Sequence, residues 1–194
     1  MKRLGKKEQR EQTRRQILDA AIPLLAKRGY SSTTMQQLAD AIGMTSGALY
    51  WHFDSKEDLL ASGIENLRES LKQRQRQALS ARGSDEGIFA FSRELFTHAN
   101  EHRTVFQAMV GKRSGAVVQQ MLQKMLVDLV RDEVRATGPE RANDTPVEAV
   151  SQFIGGGLFG LLIWWGNGKM RMAVDDVDSM FRRLAIPSLK AAAR

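Results

Sequence analysis

The chain has 194 residues, 42% of them hydrophobic and 26% charged, an ordinary balance for a packed globular protein that excludes wholesale disorder. It has no cysteine, which excludes disulfides, thiolate metal sites and cysteine nucleophiles. The formal charge is +7, and it is uneven: residues 1–56 hold ten Lys or Arg against five Asp or Glu, a local +5, leaving +2 for the other 138 residues. Such a concentration suits a polyanionic partner, nucleic acid before an anionic membrane.

The first basic residues are followed by the polar run Glu8 to Arg15 and not by an apolar stretch, so no secretory signal is expected. The longest uninterrupted apolar and glycine run, Phe153 to Gly166, is shorter than the ~18 residues a membrane span requires. The expectation is a cytoplasmic protein with no membrane partner.

In chain order, Thr13 with Gln16 spells a capping box, and Ile17, Ala21, Leu24 and Leu25 recur at helical spacing up to the stop at Lys27-Arg28-Gly29. Pro23 falls inside this first helix, where a lost backbone hydrogen bond predicts a kink. Thr34 with Gln37 caps a short second helix carrying Met35, Leu38, Ala39 and Ile42 before Gly43. Thr45 caps a third, in which Leu49 and Phe53, four apart, share the inward face. Ser55 with Asp58 caps a fourth, running to about Leu79 with Leu59, Leu60, Ile64 and Leu67 inward. Arg82-Gly83-Ser84 reads as a break.

Longer helical segments follow at about Gly87 to Asn100, Arg103 to Val110 and Gly115 to Ala136, the last ended by Gly138-Pro139. Thr145-Pro146-Val147-Glu148 then opens an apolar helix to Trp165, with Pro146 at the first helical position and Thr145 and Glu148 as a capping box. Asp175 caps a final helix containing Val177, Met180, Phe181 and Leu184. The fold class expected is all-α, with a small N-terminal helix-turn-helix domain at 11–71 and a larger helical domain at 85–194.

Two short helices meeting at a glycine match the helix-turn-helix, whose second helix lies in the DNA major groove. Small residues at the start of that helix let its backbone approach base edges. Tyr50 and His52 at its other end carry hydrogen-bonding groups placed to reach phosphates. Lys56 adds a physical hint, because a cation in the first turn of a helix opposes the macrodipole. A phosphate at that helix start would give the free N–H groups and the ammonium a common anion.

Helix one ending in Arg-Gly-Tyr, Thr-Thr opening helix two, Leu-Tyr-Trp-His-Phe, and then Ser-Lys-Glu-Asp-Leu together resemble the TetR family of transcriptional regulators, closely over about residues 11 to 70. The resemblance implies that Thr34 and Gln36 approach DNA from helix two, that Thr45, Ser46, Gly47 and Ala48 face the groove, and that Tyr50, Trp51, His52 and Lys56 hold the backbone. Ser46 stands where the family often has a longer basic or polar residue, which shifts the expected base reading toward Gln36, Trp51 or DNA shape. The implied protein is a homodimeric repressor of a palindromic operator, released by a small-molecule effector and not an enzyme. By the same resemblance the last two helices form a four-helix bundle with their symmetry mates.

Apolarity supports that dimer independently: Phe153, Leu158, Leu162, Trp165, Val177, Phe181 and Leu184, exposed on a monomer, would form an oversized patch, with Gly157 at the helix contact. For the effector, Phe89, Phe96, Phe106, Met109, Met121 and Met125 are candidate pocket residues, although most residues of this kind are expected in the core. Gly155, Gly157 and Gly160 spell a G-x-G-x-x-G. A dinucleotide site needs a strand before it, whereas here a helix runs straight into the glycines, so close helix packing is the favoured reading over a nucleotide-dependent enzyme. A non-specific architectural DNA-binding protein is the other rival. His98 and His102, with Glu94 or Glu101, are read as a solvated helix face and not a chelate, so neither metal nor cofactor is expected. Lys2, Arg3, Lys6 and Lys7 form either an arm into the minor groove or a solvated tail.

Overall fold

The computed structural model describes residues 5–80, 87–110, 116–137 and 146–192. Among the described residues there are nine helices and no strand: α1 Lys6–Arg28, α2 Met35–Ala41, α3 Ser46–His52, α4 Lys56–Ser80, α5 Phe91–Glu101, α6 Arg103–Val110, α7 Ala116–Thr137, α8 Val147–Asn167 and α9 Val174–Ala192. The all-α expectation holds. The breaks read at 82–84 and 138–139, and the cap at Thr145, lie outside the described residues.

The local chemistry explains most boundaries. The Thr34 hydroxyl accepts from the Gln37 N–H at 3.2 Å while Gln37 Oε1 accepts from the Thr34 N–H at 2.9 Å, a reciprocal capping box. Thr45 accepts from Ala48 N–H, and Ser55 from Asp58 N–H. Gly43, at φ +72°, makes the turn between α2 and α3, a backbone conformation that costs a side-chain-bearing residue energy. The expected start at Thr13 is wrong: α1 begins at Lys6, where Glu8 accepts from the Gly5 N–H at 2.8 Å, and the Thr13 hydroxyl donates to the Gln9 carbonyl inside the helix. Lys6 and Lys7 therefore sit on the first turn of α1 and not on an extended arm. Pro23 does not end the helix.

The buried apolar side chains form one contiguous cluster, from Ile17 and Leu18 through Leu49, Phe53 and Leu59 to Leu158, Val177 and Leu189. At one end, α1 to α3 and the start of α4 close over Leu25, Leu38, Leu49 and Phe53, all fully buried. At the other, α9 sets Val177, Phe181, Ala185 and Leu189, one every four residues, against its neighbours. Phe181 meets Phe89 edge-on at 5.6 Å, and Trp165 meets Phe96 likewise at 5.5 Å.

α7 and α8 approach closely because a Cβ at Gly155 would lie 2.8 Å from the Val127 Cα. The helical glycines thus serve packing, as expected, but only Gly155 of the three does so within the chain. A Cβ at Gly157 or Gly160 would meet nothing within 4 Å. By length and composition α8 passes for a membrane span, with a mean hydropathy of 1.4 over its most apolar window. The unbroken apolar run, Phe153 to Gly166, is shorter than the helix that carries it. Gln75 of α4 ties the middle of the molecule, donating to the α7 carbonyl of Leu129 at 3.2 Å and to the fully buried Glu133 at 2.5 Å.

Candidate nucleic-acid interface and effector cavity

The helix-turn-helix presents a sealed apolar side and a polar outer side. Thr34, Gln36, Thr45, Gly47, Tyr50 and Trp51 are exposed, and Ser46 and Ala48 are half-buried, whereas Leu38, Ala39, Leu49 and Phe53 are fully buried beneath them. Gln36 joins the two helices: its Oε1 accepts from the Ser46 hydroxyl, and its Nε2 donates to Asp40 at 2.8 Å. Trp51, 63% exposed, is held by Arg10 of α1, whose guanidinium lies 4.8 Å over the indole. The sequence reading missed Arg10 in this setting. The basic run at 6–15 was its only signal, and its partner is 41 residues away.

His52 and Lys56 differ from expectation. His52 is only 9% exposed, and its Nδ1 has no hydrogen-bond partner among the described residues. Burial pushes its pKa below the usual histidine range, helped by Arg10 and Arg14, so at neutral pH the ring is uncharged. Burial, not charge, is what argues against a phosphate-holding role for the His52 side chain, since a neutral imidazole still donates one N–H. Arg14 fixes the same corner: its guanidinium donates to the His52 carbonyl and to Ser62 Oγ at 2.8 Å, and stacks 4.1 Å over Phe53.

The Lys56 ammonium has an internal partner, donating to the Tyr30 carbonyl at 2.8 Å while lying 4.6 Å over the Tyr30 ring. Its place at a helix start therefore needs no DNA to explain it, although a bond to one carbonyl leaves two N–H donors. The Tyr30 hydroxyl donates to Glu57, which raises the Tyr30 pKa beyond its usual range, burial being the larger cause, and lowers that of Glu57.

Where α1 and α4 meet the later helices there is a cavity of about 130 Å³. Ile22 of α1 and Leu60, Gly63, Ile64 and Leu67 of α4 form one wall. Leu95, His98 and Ala99 of α5, with His102 just beyond it, face Val105, Phe106, Met109 and Val110 from α6. Val118 and Leu122 of α7 and Leu162 of α8 complete the lining. Of the six candidates from sequence, Phe106 and Met109 line this space. Phe89, Phe96 and Met125 are buried in the core elsewhere, and Met121 is half-buried outside the lining. A Met or Phe at helical spacing signals burial, and sequence alone does not say which buried face leaves a gap.

Of the dimer candidates, Phe153 is 70% and Leu184 66% exposed, and Gly157 is exposed. Leu158, Leu162, Trp165, Val177 and Phe181 are buried within the chain, so their assignment to a subunit contact is corrected: they form the inner faces of α8 and α9. Trp164, 55% exposed, takes the place on α8 expected for Trp165. Among the described residues no group of three or more His, Cys, Asp or Glu is placed to hold a metal.

This is the architecture of a helix-turn-helix transcriptional regulator. Residues 17–62 match the model described as bacterial regulatory proteins, tetR family, and residues 86–186 match one described as a transcriptional regulator C-terminal region. The chain belongs to the TetR family. It is 47% identical over 64 residues to the HTH-type transcriptional regulator AcrR of Shigella flexneri, covering 33% of this chain and 29% of that one. To the HTH-type transcriptional repressor KstR2 of Mycolicibacterium smegmatis it is 28% identical over 166 residues, 80% of each chain. A TetR-family structure from Syntrophomonas wolfei superposes with a TM-score of 0.74 at 16% identity, covering 93% of this chain and 96% of that one. The match to AcrR thus spans less than a third of that relative's length.

Proposed function

We propose that the protein is a homodimeric, cytoplasmic repressor that binds a palindromic operator and is released by a small molecule held in the cavity between α4 and α6. The observation that carries the DNA reading is the α2–α3 pair. Its outer side bears exposed hydrogen-bonding groups at the positions of a major-groove reader, while its inner side is sealed by Leu38, Leu49 and Phe53. Residues 11–71 grip DNA, and residues 85–194 bind the effector and the second subunit. Thr34, Gln36, Thr45, Ser46, Gly47 and Ala48 face the groove, with Tyr50, Trp51 and the free donors of Lys56 on the phosphates.

Dimerisation is supported by Phe153, Gly157, Gly160 and Trp164, which recur at helical spacing on the exposed side of α8, with Leu184 exposed on α9. Release is supported by the position of the cavity, whose wall includes Ile22 of the DNA-gripping half. A ligand acts only through a difference in affinity between the DNA-competent and released conformations. Recognition helices in such dimers need a separation of about 34 Å, so a modest change of tilt in α4 suffices to break the match.

Selection of bound duplexes from a random pool by the full-length protein tests the reading. The expected product is a two-fold symmetric site with half-sites about one DNA turn apart. Equal affinity for selected and scrambled duplexes would instead establish a non-specific architectural protein.

A further inference from the structure

The cavity lining has a polar pole. Among the described residues His98 and His102 are the only lining side chains with nitrogen or oxygen atoms, and their rings lie with centroids 4.5 Å apart, four residues apart in sequence. Every other described lining group, from α1, α4, α6, α7 and α8, is hydrocarbon, the Met109 thioether or the backbone of Gly63. Neither imidazole has a hydrogen-bond partner among the described residues, in a fold where Gln75, Ser92 and Trp165 are all paired. His102 is exposed and His98 half-buried, so the pair runs from the surface inward. A solvated helix face, the reading from sequence, holds for exposed His102, whereas half-buried His98 belongs to the lining.

We propose that the effector is a small monocarboxylic acid, its carboxyl group held by His98 and His102 and its apolar body, about the size of one ring, packed against Ile64, Leu67 and Phe106. This rests on the cavity being the effector site. The volume sets the size: an apolar cavity of about 150 Å³ accepts benzene and this one is about 130 Å³, so its enclosed part holds no more than one ring and the carboxyl group lies at the exposed His102 end.

Charge selects the acid. Among the described residues no Lys or Arg lines the cavity, and the ionisable group next to the pair on α5 is Glu101. Glu94 lies one turn earlier, and Arg103 turns away to Asn100 Oδ1 at 3.0 Å. An anion entering alone would be an unpaired charge in hydrocarbon, which is strongly unfavourable. An imidazole ordinarily binds a proton more tightly than a carboxylate. One proton from solvent therefore enters with the carboxylate and rests on one ring as imidazolium, and the second ring donates its N–H to the other oxygen. The filled cavity is neutral overall. A divalent cation, by contrast, would bring two positive charges with two ligands and no anion. Burial holds His98 below the usual histidine range, so in the free protein that ring is neutral and takes the proton only when the carboxylate lies beside it.

The test is calorimetry on the full-length protein with benzoate and its neutral isostere benzamide, each in two buffers of different ionisation enthalpy. Benzoate is expected to bind with uptake of about one proton, its affinity rising about tenfold for each unit of pH lowered between 8 and 7. Benzamide should bind with no uptake. His98→Gln should lose the uptake and weaken benzoate at least about tenfold, leaving benzamide within about twofold; the unchanged benzamide affinity reports an intact cavity. Benzamide binding as well as benzoate, without proton uptake, would overturn the acid assignment and leave the cavity as the effector site. Failure of both to bind would overturn the two together. Benzoate bound with proton uptake but without release of operator DNA would uphold the acid site and sink the switch.

Discussion

Gln36 engages both ends of its amide within the protein, accepting from Ser46 on α3 and donating to Asp40 on α2. A glutamine that reads adenine presents one N–H and one carbonyl lone pair to the base edge. Its bond to Asp40 leaves one N–H, and its bond to Ser46 leaves one lone pair. The internal partners therefore orient Gln36 without exhausting it. Gln36→Ala and Ser46→Ala should alter preference at the same base-pair position, each shifting discrimination by about 1–3 kcal/mol, measured by binding to a panel of singly substituted operators. A uniform loss across the panel, with no position singled out, would remove both residues from base reading. Ser46 alone is too short to suggest this; its value comes from being ten residues after Gln36 across a tight turn.

Helices were legible because their punctuation is chemical. Thr34, Thr45 and Ser55 each accept a bond from the backbone N–H three residues on, and Gly43 takes the conformation that other residues avoid. The start of α1 was not legible, because Glu8 supports it by bonding back to Gly5, whose own side chain is absent and gives no signal. On α8, sequence identified the apolar residues but not their direction, since a helix apolar on nearly every side has no preferred face. The contact with α7 settles the direction through Gly155. Gly155→Val should force α8 away from the Val127 backbone and destabilise the fold by about 2 kcal/mol, measured by denaturant unfolding. Gly156→Ala, with nothing within 4 Å of a Cβ there, is the control and should cost little.

For the molecule as a whole, the proposed dimer makes affinity for the operator depend on two copies acting together. Each half-site alone binds weakly, and joining them makes the second contact intramolecular. Gly157→Arg places bulk and charge on the exposed stripe between Phe153 and Trp164 without touching the core, because a Cβ at 157 meets nothing within 4 Å. The variant should remain folded by circular dichroism, sediment as a monomer and lose at least about a hundredfold in operator affinity. A dimer of normal mass would move the subunit contact off α8. Sequence correctly marked α8 and α9 as too apolar for solvent. Of the residues it named, Phe153, Gly157 and Leu184 face outward, whereas Leu158, Leu162 and Trp165 pack inward, a difference that hydrophobicity alone does not reveal.

Ile22 gives the cavity an evolutionary asymmetry. On the proposed reading the walls contributed by α6, α7 and α8 answer to the shape of the ligand as well as to core packing, so a lineage meeting a bulkier compound changes Val105 or Val118 before the fully buried Leu162. Ile22 answers to two masters, since it lines the cavity from the same helix whose Arg10 and Arg14 brace the recognition helix. Drift in chemical specificity should therefore be recorded in the later helices, while the seam with α1 holds still.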